Sequence, residues 1–206
     1  KKLGINPYPQ PNLSDKKTCQ QAKKLFNKKV LLAGRLMSLR GHGRILFADL
    51  YDQTDKIQLF FQEKKLGKEK MKLIRLLDVG DILQVTGTVF KTEAGEITIN
   101  VTEFRLLSKC IRPLPEKWHG LKNIEERYRQ RYLDLIVNPS VRKVFETRTR
   151  ILTEFRNYLD KHGFVEVETP ILQPIYGGAS AKPFITYHNE LETEMYLRIS
   201  DELYLK

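Results

Sequence analysis

Between residues 28 and 111, apolar side chains recur at every second position in five runs: Val30, Leu32, Gly34 and Leu36; Leu46, Ala48 and Leu50; Ile57, Leu59 and Phe61; Leu83, Val85, Gly87 and Val89; Ile97, Ile99 and Val101. That period belongs to strands with one face in a core and the other toward water. Gly41-His42-Gly43 and Asp52-Gln53-Thr54-Asp55 have turn composition and separate the first three runs. Ala94-Gly95 closes a hairpin between the fourth and fifth. Between the third and fourth, the pattern shifts to helical spacing over roughly 65–77. Ahead of the strands, Ser14-Asp15 predicts a capped short helix running to Phe26.

The pattern changes after Arg112-Pro113-Leu114-Pro115, where two prolines remove amide donors and fix φ. Residues 124–136 predict a helix rich in Arg and Tyr. Asn138-Pro139-Ser140 ends it and caps a longer one over 140–162, in which Val144, Phe145, Ile151, Leu152, Phe155 and Leu159 keep helical spacing. Gly163 stops that helix. A strand over 164–168, a tight loop at Gly177-Gly178-Ala179 and two antiparallel strands over 184–188 and 195–199 follow. The apolar surface of these elements has no evident partner within the 206 residues, which points to a larger C-terminal part.

Five short strands with a helix between the third and fourth is the layout of an OB barrel, in a chain that is α+β as a whole. Such barrels bind oligonucleotides on one face, and also proteins and sugars. Charge narrows the choice. Up to Arg112 there are 22 Lys and Arg against 11 Asp and Glu, whereas from Pro113 onward there are 14 of each, so the net +11 belongs to the first part. A lysine-rich solvated surface would explain the lysines but not the neutrality of the second part; a polyanionic partner for the first explains both. Alternation also turns Arg35, Phe47, Gln58 and Phe60 outward. A ring to stack, a guanidinium, and an amide able to donate and accept suit a single-stranded base such as uracil. In the fifth run, strict alternation from Val101 would bury Glu103 and expose Phe104, and a bulge after Val101 would reverse both.

Composition excludes other classes. With 41% hydrophobic residues a core is feasible, and no apolar run approaches the length needed to span a bilayer. Residues 1–7 show no apolar signal segment, and two cysteines, Cys19 and Cys110, cannot build a disulfide framework or a four-thiolate metal site. A reducing, cytoplasmic setting is expected.

The long helix followed by Gly163-Phe164-Val165-Glu166-Val167-Glu168-Thr169-Pro170 resembles motif 1 of class II aminoacyl-tRNA synthetases. With an OB barrel ahead of it, the chain is similar to the subgroup for lysine, aspartate and asparagine. Gly4-Ile5-Asn6-Pro7-Tyr8-Pro9, His119-Gly120-Leu121, the stretch from Arg127 to Ile136, Lys182-Pro183-Phe184-Ile185-Thr186-Tyr187-His188-Asn189 and Tyr196-Leu197-Arg198-Ile199 with Glu202-Leu203-Tyr204-Leu205-Lys206 resemble the lysyl-tRNA synthetases. This resemblance covers essentially the whole chain.

The resemblance implies an N-terminal extension with a short helix over 1–27, an OB-fold anticodon-binding domain over 28–111 and a linker over 112–123. Residues 124–206 would then be the first part of a class II antiparallel-sheet catalytic domain, with motif 1 and the start of motif 2. It implies that Arg35, Phe47, Gln58 and Glu103 handle the anticodon, Phe47 stacking on the central uridine and Glu103 facing out. It further implies that Gly178 and Glu202 bind the substrate lysine, and that motif 1, with Phe155 and Pro170, builds a homodimer interface. The implied partners are tRNA(Lys), lysine and ATP with Mg2+, their main ligands lying beyond Lys206, so the chain alone is expected to bind tRNA weakly and not to aminoacylate. No catalytic or metal-binding residue is assigned within the chain, and no membrane partner. Aspartyl- or asparaginyl-tRNA synthetase, and a non-catalytic OB-fold tRNA-binding module, are the alternatives. The chain departs from the family pattern at Ile175-Tyr176 and at Ser200-Asp201, where Asp201 adds negative charge beside Glu202.

Overall fold

Val30, Leu32 and Leu36 are buried on alternate positions of strand β1 (Lys29–Arg40), and the same alternation runs through β2 (Ile45–Tyr51), β3 (Lys56–Gln62) and β4 (Ile82–Lys91). In this computed structural model, which describes residues 6–11, 14–115 and 121–206, these strands and β5 (Ile97–Ser108) close into a barrel of order β1-β2-β3-β5-β4. All pairings are antiparallel except β3 with β5. Every buried apolar side chain among the described residues lies between Cys19 and Val101.

Three register shifts interrupt the barrel ladders, and two of them decide where candidate site residues point. In β1 the register skips Met37, so Leu39 turns onto the core and Arg40 turns outward. In β5 it skips Thr102, so Phe104 packs on the core and Glu103 stands exposed. An extra residue in one strand inverts the parity of everything after it. The second bulge is the one the sequence left open.

The predicted short helix is displaced. Helix α1 is only Cys19–Ala22, capped by Thr18, whose hydroxyl accepts from the Gln21 amide at 3.2 Å while Gln21 Oε1 accepts from the Thr18 amide at 2.9 Å. Asp15, with φ of 62°, cannot start a helix. The predicted insert is two helices, α2 (Glu63–Leu66) and α3 (Lys68–Ile74), divided at Gly67. The helix predicted over 124–136 is likewise two, α4 (Ile124–Arg129) and α5 (Arg131–Val137), broken at Gln130. Asp134 holds them together. Its buried carboxylate accepts from Arg127 Nε at 2.9 Å, from Asn138 Nδ2 at 2.6 Å and from Arg131.

A second compact unit begins at Ser140, on α6 (Pro139–Lys161). Gly163 follows with φ of 82°, the left-handed helix stop its position predicts. The strand expected over 164–168 is not formed. No described strand pairs with this stretch, and Glu166 instead holds Arg156 with both oxygens at 3.0 Å. The sheet of this unit is β6 (Leu172–Gln173), β8 (Thr193–Leu197) and β7 (Ile185–His188), in that spatial order. Helix α7 (Glu202–Leu205) closes the chain.

Candidate functional site

On the outside of the barrel the register assembles one patch. Phe47 of β2 faces Phe60 of β3, and their rings stack with centroids 4.8 Å apart at 24°. Phe90 of β4 extends the cluster, 5.9 Å from Phe60. Gln58 lies two positions along β3, flanked by Asp49 on β2 and Thr98 on β5. The Thr98 hydroxyl donates to Gln58 Oε1 at 2.9 Å, which fixes the amide without using either of its N–H donors. Phe47, Gln58 and Phe60 are half-buried: their edges reach solvent while their bases rest on the barrel.

The four residues expected to act on RNA are not all side by side. Phe47 and Gln58 are diagonal neighbours across β2 and β3. Arg35 pairs with Tyr51, four residues along β2 from Phe47, or about 13 Å at strand rise. Its guanidinium donates to the Gly80 carbonyl at 2.9 Å, bracing the loop before β4. Glu103 stands exposed opposite Thr86, three residues past Asn100, the partner of Phe60. It thus flanks the patch at the Gln62 end of β3, away from Arg35.

Arg40 is the residue that sequence reasoning missed. It is directly opposite Phe47, exposed, and its guanidinium grips the Asp49 carboxylate at 2.8 Å. Strict alternation from Val30 would point it inward, and the bulge at Met37 is what brings it out. Gly41-His42-Gly43 just after it announced a turn but not the shift of parity.

In the second unit, Gly178 and Glu202 meet. Gly178 has φ of 84°, and a Cβ there would lie 3.1 Å from the Glu202 Cβ and 2.9 Å from Ser200 Oγ. No side chain larger than hydrogen fits without displacing them. Glu202 is exposed at the start of α7, with Lys206 Nζ 3.3 Å from its carboxylate. Asp201 is not an idle charge beside it. Arg198 pairs with it at 2.8 Å, and the Thr169 hydroxyl donates to it. Phe155 on α6 and Pro170 are both exposed.

Known proteins carry the same two parts in the same order. The family described as "OB-fold nucleic acid binding domain" matches residues 30–107, and "tRNA synthetases class II (D, K and N)" matches residues 123–206. The lysine–tRNA ligase of Syntrophomonas wolfei is 54% identical over 210 residues, covering 100% of this chain and 42% of that protein. That of Carboxydothermus hydrogenoformans is 51% identical over 100% of the chain and 43% of its own length. That of Aquifex aeolicus is 57% identical over 86% of the chain and 30% of its own length. The chain thus spans about two fifths or less of the length of these relatives. With an OB barrel ahead of a class II synthetase segment, and at more than half identity to these ligases, the chain belongs to the class II tRNA synthetases of the aspartate, lysine and asparagine group.

Proposed function

We propose that this chain is the anticodon-reading and lysine-contacting part of a lysine–tRNA ligase, an enzyme that activates lysine with ATP and transfers it to tRNA(Lys). In this reading residues 28–111 form the anticodon-binding domain, 112–123 the linker and 124–206 the start of the catalytic domain, with 1–27 an N-terminal extension. The observation that carries it is the adjacency of Phe47 and Gln58 on the outer barrel face, with Arg40 opposite Phe47.

The chemistry follows from those groups. Phe60 covers one side of the Phe47 ring, and an unpaired base stacks on what remains. The Gln58 amide donors reach a uracil carbonyl. Arg40, held by Asp49, offers its remaining N–H groups to a phosphate or to the base plane. Glu103 bounds the pocket with an acceptor. Arg35 acts indirectly, through the loop it braces at Gly80. In the second unit the Glu202 carboxylate takes the ammonium of the amino acid, as it takes that of Lys206, and Gly178 lets the ligand approach the backbone.

ATP and Mg2+ enter as reactant and counter-ion of the whole enzyme. Among the described residues no three His, Cys, Asp or Glu side chains stand together to hold a metal ion. The apolar face of α6, with Phe155, and Pro170 beyond it form the interface with a second copy. Among the described residues no helix is long and apolar enough to cross a membrane. The setting proposed for the enzyme is the cytoplasm.

The test is binding of an anticodon stem-loop with a central uridine. Phe47→Ala is expected to cost about 1–3 kcal/mol of affinity. Equal binding by the variant and the wild type removes the assignment. For the second unit, Glu202→Gln in the longer enzyme is expected to raise KM for lysine. A preference for aspartate or asparagine instead would move the protein to a neighbouring member of its group.

A further inference from the structure

Glu202 ends the turn Ser200-Asp201-Glu202, and the three side chains of that turn do different things. Ser200 and Glu202 face Gly178, where a Cβ would lie 2.9 Å from Ser200 Oγ and 3.1 Å from the Glu202 Cβ. Ser200 Oγ also accepts from the Glu202 amide at 3.1 Å. Asp201, between them, is held by other groups. Arg198 Nη1 stands 2.8 Å from one of its carboxylate oxygens, and the Thr169 hydroxyl donates to the same oxygen. The same Nη1 lies 2.6 Å from Thr169 Oγ1 and 3.0 Å from the Thr169 carbonyl oxygen. The Arg198 amide donates to the Ile171 carbonyl at 2.8 Å.

Thr169, Arg198 and Asp201 thus close a ring that ties the stretch ending at Pro170 to the turn. Arg198 answers the Asp201 charge within the ring, so the acid that this turn offers to an ammonium ion is Glu202. The side chains of Arg198 and Asp201 are 36% and 49% exposed, and an ion pair so open to water contributes little by itself. The value of the ring lies in its geometry. It walls a cavity of about 380 Å³ shared with Val167, Ile171 and Leu205, so among the described residues polar bonds rather than close packing fix Asp201 on this side. Asp201 is also a position at which the chain departs from the pattern of its family.

We infer that Asp201 is a positioning residue for the amino-acid site. Through Arg198 and Thr169 it anchors the turn, so that Ser200 and Glu202 stay against Gly178 and the Glu202 carboxylate keeps one direction. Asp201 does not touch the ligand in this scheme. A carboxylate on a mobile turn must be ordered when the ammonium arrives, and the ring removes that entropy cost beforehand. The inference rests on the lysine reading of Glu202 above, and its test separates the two.

The test is lysine-dependent exchange of pyrophosphate into ATP by the ligase that carries this chain, with the variants D201A, D201N, T169V, T169V/D201A and E202Q. D201A is expected to raise KM for lysine about tenfold, with kcat kept within about twofold. T169V removes a hydroxyl without changing charge and is expected to raise KM about threefold, which separates anchoring of the turn from loss of a negative field beside the amino acid. The double variant is expected to match D201A, because both substitutions cut the same link. D201N keeps an oxygen for Thr169 and is expected to recover part of the loss. An unchanged KM in D201A, a lower kcat at unchanged KM (the mark of fewer folded molecules), T169V behaving as wild type, D201N no better than D201A, or effects that multiply in the double variant each overturns the inference. If E202Q raises KM and D201A does not, the inference alone fails. If E202Q leaves KM for lysine unchanged, the lysine reading fails and takes the inference with it.

Discussion

The two units of this chain treat the same kind of residue in opposite ways. In the barrel, Phe61 is fully buried and packs edge-on against Phe104, 6.2 Å away. In the second unit Phe155 is 65% exposed, and Gln173 is the buried side chain found among residues 140–206. Both units have regular apolar periodicity, yet only a closed sheet can bury its own inner face. A single amphipathic helix beside a three-stranded sheet leaves its apolar stripe for something else to cover. Hydrophobic pattern thus predicts elements in both units but self-sufficiency in one.

The sharpest way to break that contrast is a pair of truncations. Phe61→Ala is expected to cost about 3–5 kcal/mol of stability, through lost transfer energy and the cavity left behind. Phe155→Ala in the same chain is expected to stay within about 0.5 kcal/mol. Chemical denaturation followed by tryptophan-independent circular dichroism measures both. Comparable losses at a concentration where the chain is monomeric would show that α6 is covered within the chain itself and that the contrast is false.

Asp134 tests a polar version of the same idea. Burial alone would push its carboxyl up. The bonds from Asn138 and Arg127, with the charges of Arg127 and Arg131, outweigh burial and hold it below the ordinary carboxylate range. A lowered folded-state pKa means that the stabilisation is fully present above the unfolded value, near 4, and is lost as pH falls through the folded value. Asp134→Ala is expected to cost about 3 kcal/mol at neutral pH, because it strands two guanidinium groups. Its stability should also fall less on acidification than that of the wild type. Parallel acid limbs for the two proteins would show that Asp134 is not linked to that loss.

Most of the barrel was legible because its five strands alternate without interruption over their central residues, and Phe47 and Gln58 lie in those stretches. Arg40 was not, because one unpaired residue at Met37 inverts the parity on which the reading depends. Glu103 lies past a similar bulge, and there the absurdity of burying a glutamate while exposing a phenylalanine at least flagged the alternative. The helix breaks at Gly67 and Gln130 differ in kind. Glycine is a visible breaker, whereas Gln130 carries no such signal, and beside the break Asp134 gathers Arg127, Arg131 and Asn138 around one carboxylate. The strand expected over 164–168 failed because a strand is a property of two segments and the sequence displays only one of them. The association of Gly178 with Glu202 spans 24 residues and is invisible to any local pattern, so it rests on family resemblance, and the structure adds that a Cβ on Gly178 would lie 3.1 Å from the Glu202 Cβ.

Gly178→Ala probes that contact with a smaller expected effect. The added methyl would sit 3.0 Å from the Ser200 Cβ in a left-handed backbone conformation, at a cost of roughly 1 kcal/mol for the conformation alone. Under the proposed function, KM of the ligase for lysine should rise while binding of the anticodon stem-loop stays unchanged. A change in stem-loop binding would contradict the division of labour between the two units.

The smallest effect concerns the two cysteines, which report the closure of the barrel from inside and outside. Cys19 is fully buried, and burial together with the neighbouring Asp52 carboxylate pushes its thiol up to about 12. Near pH 8 only about one such thiol in ten thousand is a thiolate, the form that attacks a disulfide reagent. Cys110 lies at the end of β5, partly exposed, with its Sγ 3.0 Å from the Arg112 carbonyl. A disulfide reagent added to the native chain is therefore expected to react once, at Cys110, and to reach Cys19 only in denaturant. Phe61→Ala should expose Cys19 to labelling at lower denaturant concentration, and Phe155→Ala should not, since Cys19 belongs to the same core cluster as Phe61. If both thiols react together in the native protein, the barrel opens on the timescale of labelling, and it is no longer the self-sufficient half of the molecule.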